Sequence, residues 1–284
     1  MNVIRCATGA DFLQRAEAFL VAREVENCVP LGIANQLRLY PDRVTRPPYL
    51  ATVEHDGQVL AAAAMTPPMR LVLAFSESRE ALNALAEDVA RVDRSIPGVS
   101  GPAPSSLLFA EQWQQVTGAT FPWVMAERVY QLTEVAHPVG IPGGARRASA
   151  NDRELLIEWL TAFDLEAFGS MGPDVAGRLD GYFEMSTRGI FLWEDGWPVS
   201  LAAFGGFTPH GARIGPVYTP PAQRGHGYAS AMTAWLSQHL LDGGRQFCCL
   251  YTDLSNPTSN HIYQAIGYVP VGDVAEYRFS AATG

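Results

Sequence analysis

The chain has 284 residues, 48% of them hydrophobic, and its 20 basic residues, all arginine, face 29 acidic ones for a net charge of −9. An acidic chain without a basic cluster argues against nucleic acid and against an anionic membrane surface, and no apolar run approaches the ~20 residues that span a bilayer. Length suggests two domains, and four scattered cysteines (Cys6, Cys28, Cys248, Cys249), with no CxxC pair and no zinc spacing, suit a reducing cytoplasm.

In chain order, "NVIRCA" reads as a strand and "ADFLQRAEAFLVAREVE" as an amphipathic helix; charges interrupt the apolar residues, so this is no signal peptide. "YLATVEHDGQVLAAAAM" reads as a hairpin turning at Asp56-Gly57 and "PMRLVLAF" as a strand. A helix follows from about Ser78 to Val92, then a helix in "SSLLFAEQWQQVTG" closed by Gly118, then the strand "WVMAERVYQLTEV". "GVSGP" at Gly98–Pro102 is like a nucleophile elbow but lacks the second glycine at the right place. No strand-to-helix context is expected around it, which argues against a serine hydrolase.

"HPVGIPGGARR", His137–Arg147, reads as a linker because two prolines and three glycines crowd together. It divides the chain into expected domains at 1–138 and 146–284. Beyond it come a short strand in "RRAS", the helix "ANDRELLIEWLTAFDLEAF", a weaker helix in "PDVAGRLDGYFEMS" and the hairpin "GIFLWEDGWPVSLAAFGGF", turning at Asp195-Gly196. "GARIGPVYT" is a strand, and a glycine-rich stretch leads into a helix stopped by Gly243-Gly244. "RQFCCLYTD" is a buried strand in which the cysteines read as small hydrophobes. "NPTSNHIYQAIG" is a helix capped by Asn256, with Pro257 at its first position, and "AEYRFS" is a last strand. The two halves look like two copies of one design.

The stretch "QRGHGYASAMTAWL", Gln223–Leu236, strips side chains from the start of a helix, where free backbone N–H groups and the helix dipole attract negative charge. A strand, a glycine-rich turn and a helix form a phosphate cradle. The spacing is neither GxxxxGK[ST], since no lysine exists, nor GxGxxG.

"VYTPPAQRGHGYASAM" resembles the acetyl-CoA loop of the GNAT superfamily of N-acetyltransferases, with Arg224, Gly227 and Ala229 matching its Gln/Arg-x-x-Gly-x-Gly/Ala pattern. "NPTSNHIYQAIGY" resembles the family's later helix, with Asn256, Tyr263, Gly267 and Tyr268 in register, while Ser259 and Ile262 depart from its usual Ala and Leu. The resemblance covers about residues 146–280; in the first half only the element order is similar, and "AFSESREALNALAEDV" stands where a glycine loop would be.

The resemblance implies a mixed α/β fold of two tandem GNAT-like domains, each a central mixed sheet flanked by helices, the first degenerate and without cofactor. It implies that Arg224, Gly225, His226, Gly227, Tyr228 and Ala229 hold the pyrophosphate, and that Val217, Tyr218 and Thr219 pair with pantetheine, a backbone N–H near Val217 polarising the thioester carbonyl. Asn256 would add a cofactor contact to its capping role, and Tyr263 would give a proton to the leaving thiolate. The general base is open among Asp164, Glu166, Glu194, Asp195 and Asp253, with Glu166 first. The activity implied is transfer of an acetyl group from acetyl-CoA to a small-molecule or peptide amine by direct attack, without an acyl-enzyme; the alternative is a non-catalytic acyl-CoA-binding or regulatory module. The first half would cover the acceptor channel or form a homodimer surface. His55 and His210 read as turn residues, and no histidine pair has metal spacing, so no metal is expected.

Overall fold

The computed structural model describes residues 1–280 apart from 45 and 173. The chain opens with β1 (Asn2–Arg5), α1 (Gly9–Val21), α2 (Cys28–Leu39), β2 (Tyr49–His55), β3 (Gln58–Met65), β4 (Leu71–Leu73), α3 (Arg79–Val92), β5 (Gly98–Pro102), α4 (Ala103–Thr117) and β6 (Trp123–Leu132). The same order then repeats as β7 (Gly144–Arg147), α5 (Arg153–Phe168), α6 (Val175–Glu184), β8 (Gly189–Glu194), β9 (Pro198–Gly205), β10 (Gly211–Tyr218), α7 (Tyr228–Asp242), β11 (Phe247–Asp253), α8 (Pro257–Ala265) and β12 (Val269–Arg278).

Local chemistry accounts for many of the boundaries. Thr8 caps α1 by accepting the Asp11 N–H at 3.1 Å, and Asp56 and Gly57 both take positive φ, as a tight hairpin requires. Gly118 and Gly169 end α4 and α5 in the left-handed conformation.

Two elements differ from expectation. Helix α2 was unread because Pro30 and Gly32 interrupt its pattern; Gly32 is needed there, since a Cβ would stand 2.9 Å from the Gly206 Cα. "GVSGP" is strand β5 and leads straight into α4, so the stretch does have a strand-to-helix context. Its glycines serve close backbone approach: a Cβ on Gly98 would lie 2.3 Å from the Tyr277 carbonyl oxygen. Helix α6 starts at Val175; residue 173, where its expected span began, lies outside the described residues.

Among the described residues, the twelve strands form one mixed sheet in the order β1-β2-β3-β4-β5-β12-β6-β11-β10-β9-β8-β7. The order reads the same from either end if each strand is exchanged for its counterpart six places on, so a pseudo-twofold axis runs between β12 and β6. The last strands of the two halves have changed places. β6 pairs with β11 (Glu127↔Asp253 to Leu132↔Cys248) and with β12. β12 pairs with β5 from Val274↔Pro102 to Arg278↔Gly98. The sheet therefore does not part at the linker: β6, which precedes it, pairs only with strands that follow it.

Side chains alternate across this sheet. Helices α3, α4, α7 and α8 cover one face, packing on residues such as Ala63, Val99, Tyr130 and Leu250. Helices α1, α2, α5 and α6 cover the other, packing on Leu50, Ala62, Leu201 and Ala203. The centre of this second face, between the α1–α2 and α5–α6 pairs, holds a smaller cluster in which Val25 and Cys28 meet Val129 and Cys249. Among the described residues, no helix is long and apolar enough to cross a membrane.

Because each half supplies a central strand to the other, chains 1–140 and 141–284 expressed alone should each expose a sheet edge and aggregate, while co-expression should restore a soluble 1:1 complex. Sedimentation of each fragment and of the pair checks this; two soluble, folded single fragments would contradict it.

Candidate functional site

β10 and β11 run parallel and pair only from Gly211↔Phe247 to Arg213↔Cys249. Beyond that point β10 continues against β9 as far as Tyr218↔Leu201, with a register irregularity between Ile214 and Val217, while β11 continues against β6. The two strands separate, and a gap opens between 214–218 and 250–253 through the middle of the second half.

The expected cradle closes one end of this gap. Gly225 (φ 83°) and Gly227 (φ 82°) turn the chain into α7, and Gly227 is its N-cap with no side chain to bond the first free N–H groups. A Cβ on Gly225 would meet nothing within 4 Å, so the cradle is open on that side, whereas a Cβ on Gly227 would lie 2.5 Å from Ile141, which packs in from the linker. Tyr228 is buried and its hydroxyl donates to Asp195 Oδ2 at 2.6 Å, so what it offers outward is its backbone N–H. Ala229 lies in the same first turn. His226 stacks on the Tyr228 ring at 5.6 Å.

Arg224 folds back over the end of β10. Its Nε donates to the Thr219 carbonyl at 2.9 Å and its terminal nitrogen to Glu166 Oε2 at 2.6 Å, with the guanidinium 5.8 Å above the Tyr218 ring. Tyr218 packs on Trp159 and reaches Glu166 Oε1 at 3.4 Å; Thr219 Oγ1 lies 2.9 Å from Ser200 Oγ. Val217 packs partly into the core beneath α7. The structure thus gathers Tyr218, Thr219, Arg224 and Glu166 into one cluster that ties α5 to the cradle.

The corresponding helix start in the first half is closed. Ser78 caps α3 by accepting the Ala81 N–H at 3.2 Å, Ser76 Oγ donates to the Leu60 carbonyl at 2.7 Å, and Ser105 Oγ accepts the Ser76 N–H at 2.9 Å. Glu77 and Glu80 flank it, and their charge opposes an anionic ligand.

Each of the five carboxylates considered from sequence is engaged elsewhere. Asp164, 1% exposed, holds Arg178 and accepts the Gly172 N–H at 2.9 Å, which fixes α6 on α5. Glu166 holds Arg224, Glu194 holds Arg146 at 2.7 Å, Asp195 accepts from Tyr228, and Asp253 accepts the Ser255 N–H and hydroxyl, each at 2.7 Å.

Sequence reasoning missed Glu127. It lies on β6 directly opposite Asp253 of β11 and two residues from Val129, so it shares the face of Val129, the α2 side of the sheet, beside the gap. No hydrogen bond or ion pair engages its carboxylate among the described residues. Burial, then the negative charge of Glu276 on β12 and, more weakly, of Asp253, push its carboxyl up to about 7; Arg213 and Arg70 pull the other way. The only sequence signal was a carboxylate beside Arg128 in a mostly apolar strand, which reads equally well as a solvated face.

Tyr263, the buried residue of α8, points to the opposite face of the sheet, edge-on to Tyr268 at 6.1 Å, and burial pushes its hydroxyl up to about 12. Asn256 caps α8 by accepting the Ser259 N–H at 3.0 Å, which leaves its amide NH2 free among the described residues. His210 accepts no metal role: its Nδ1 meets Glu24 at 2.7 Å, tying the two halves. Among the described residues, no group of three or more His, Cys, Asp or Glu side chains is placed to hold a metal ion.

Residues 196–278 match the family model described as FR47-like protein. Solved structures are similar over nearly the whole chain. A GCN5-related N-acetyltransferase from Sphaerobacter thermophilus is 20% identical, covering 97% of this chain and 95% of its own, at a TM-score of 0.60. A tandem GNAT protein from the clavulanic acid biosynthesis pathway is 13% identical, covering 100% and 99%, at 0.58. A Drosophila protein is 12% identical, covering 99% of each chain, at 0.71. No curated protein sequence matches.

A carboxyl raised in the folded state stabilises the fold while protonated and costs stability as pH rises from its unfolded value, 4.5, through about 7. Denaturant unfolding at pH 5 and pH 8 should therefore show Glu127→Gln gaining stability over the wild type at pH 8 by more than at pH 5; equal differences at both pH values would contradict the shift.

Proposed function

Because the chain carries the GNAT fold twice in tandem, with one open helix start and one closed, we propose that its second half binds acetyl-CoA and transfers the acetyl group to an amine by direct attack in a ternary complex. The observation that supports this most is the gap between β10 and β11 with the uncapped start of α7 at its end. A diphosphate suits the free N–H groups of residues 227–229, and an extended pantetheine suits the unpaired edge of β10 around Val217. Asn256 has a free amide for a further contact. When bound, acetyl-CoA supplies an acetyl group already activated as a thioester.

The chain's own groups divide the remaining work. Glu127 takes the proton from the acceptor's ammonium, and a carboxyl near 7 is well matched to that at neutral pH. A backbone N–H near Val217 offers a donor to the carbonyl oxygen as negative charge develops on it. Tyr263, held protonated by burial, has a proton to give on the other side of the gap. Glu166 orients Arg224 and through it the cradle. The first half, closed at its own helix start, serves as the wall that shuts the acceptor cleft through α2. The acceptor is a small-molecule or peptide amine.

Calorimetry with acetyl-CoA tests the binding. One site per chain is expected, and Gly225→Asp, which brings a negative side chain into the open cradle at a positive φ, should weaken it at least tenfold, ~1.4 kcal/mol. Absent binding, or binding indifferent to the substitution, would overturn the reading. Given an accepted amine, kcat/KM should rise with pH up to about 7, and Glu127→Gln should lower it by about 10²–10⁴ and flatten that limb. Binding with no turnover on any amine would instead favour a non-catalytic acyl-CoA-binding module.

A further inference from the structure

Two guanidinium groups on the α2–α6 side of the sheet have no carboxylate partner among the described residues. Arg213 lies on β10 opposite Cys249, on the same face as Tyr251 and Glu127, with neither an ion pair nor a hydrogen bond among the described residues. Arg188 precedes β8 and donates to Gln36 of α2, a neutral amide. Both flank the Gly205-Gly206 corner: a Cβ on Gly206 would stand 3.5 Å from Arg213 Nε, and one on Gly205 would stand 3.4 Å from Arg188 Cγ. Burial holds the Arg188 guanidinium below its usual range, and the positive charges of Arg213, Arg43 and Arg178 press the same way. Arg43 and Arg178 are paired with Glu184 and Asp164. Arg213 and Arg188 are the two without a carboxylate: Arg213 faces the thiols of Cys28 and Cys249 and the hydroxyls of Tyr251 and Tyr182, which favour its charge against burial, and Arg188 lies 5.9 Å from the Tyr182 ring, so each keeps a guanidinium fork open to an anion.

We propose that Arg213 and Arg188 bind a carboxylate carried by the acceptor, so that the amine acetylated by the second half belongs to an amino acid. This rests on the acyl-transfer reading above. The placement fits one short molecule. Glu127 stands opposite Asp253 and Arg213 opposite Cys249, four residues apart along β11 and on its two edges; roughly 13 Å along the strands and ~10 Å across two strand spacings put about 16 Å between their backbone positions, with both side chains over the same face. An ammonium at Glu127 and a carboxylate in the planar guanidinium forks leave several ångströms between them, the span of a small amino acid. The ends of such a zwitterion meet opposite charges, and the acetylated product keeps only its carboxylate.

The test uses the full chain and matched pairs of acceptors: glycine against methylamine, β-alanine against ethylamine, and 4-aminobutanoate against propylamine, with CoA thiol release as readout. In at least one pair the carboxylate-bearing member should have a kcat/KM 100-fold or more higher. Arg213→Met should raise its KM by at least 30-fold and change that of the plain amine far less, the lost pull of Arg213 on the Glu127 carboxyl being common to both acceptors. Plain amines equal to or better than their partners in all three pairs would overturn the proposal. A second readout needs no turnover. Wild-type Tm should rise saturably with the carboxylate-bearing acceptors and not with the plain amines, and Arg213→Met should abolish that response while raising Tm without ligand. A fall in Tm for Arg213→Met would show the guanidinium already paired within the chain and would also overturn the proposal. Calorimetric binding of acetyl-CoA, run in parallel, separates failure here from failure of the acyl-transfer reading itself.

Discussion

The antiparallel pairing of β6 with β12 is the contact on which the rest of the molecule depends. Each strand ends one half of the chain, and each is hydrogen-bonded on its other edge to a strand of the opposite half. Without that crossing there would be two sheets with open edges. With it there is one sheet whose centre is buried on both faces. The central position of β6 also places Glu127 where it can serve the gap beside β11, although it comes from the first half of the chain.

The two halves share one design but differ where their parallel pairs separate. In the second half two glycines at positive φ leave α7 uncapped and accessible. In the first, a serine caps α3 and two further serines fill the turn with internal hydrogen bonds. The first half instead lends α2 to the second: Gly32 comes against Gly206, and Gln36 accepts from Arg188. The gap passes through the sheet, with a carboxyl on one face and a buried tyrosine hydroxyl on the other.

Local patterns carried most of the elements. The hairpins at Asp56-Gly57 and Asp195-Gly196, the caps at Ser78 and Asn256 and the glycine turn before α7 are set by residues within a few positions of each other, so they can be read without knowing the fold. Helix α2 and strand β5 could not be read that way, because Gly32, Gly98 and Gly101 answer to backbones distant in the chain. The exchange of β6 and β12 was hidden for a similar reason: an apolar strand states that it will be buried, not between which neighbours. Glu127 followed it into obscurity. Its environment is made by Glu276, Asp253, Arg213 and Arg70, from four different segments, and the local sequence around residue 127 contains none of them. The carboxylates that sequence reasoning did favour were conspicuous because they sit near turns and helix ends, where nearby donors claim them.

The place of β12 also shapes the molecule's birth. It leaves the ribosome long after β5 and β6, and it must enter between them, pairing with β5 residues more than 170 positions away. At ~5–20 residues per second, β6 waits on the order of ten seconds for that neighbour. Until its later neighbours arrive, the nascent first half shows an open edge on β5 and a β6 with no partner in its own half. Chaperone demand should therefore concentrate on translation of the second half, and a premature stop anywhere before residue 269 yields a chain that lacks its central strand rather than a shortened but sound domain.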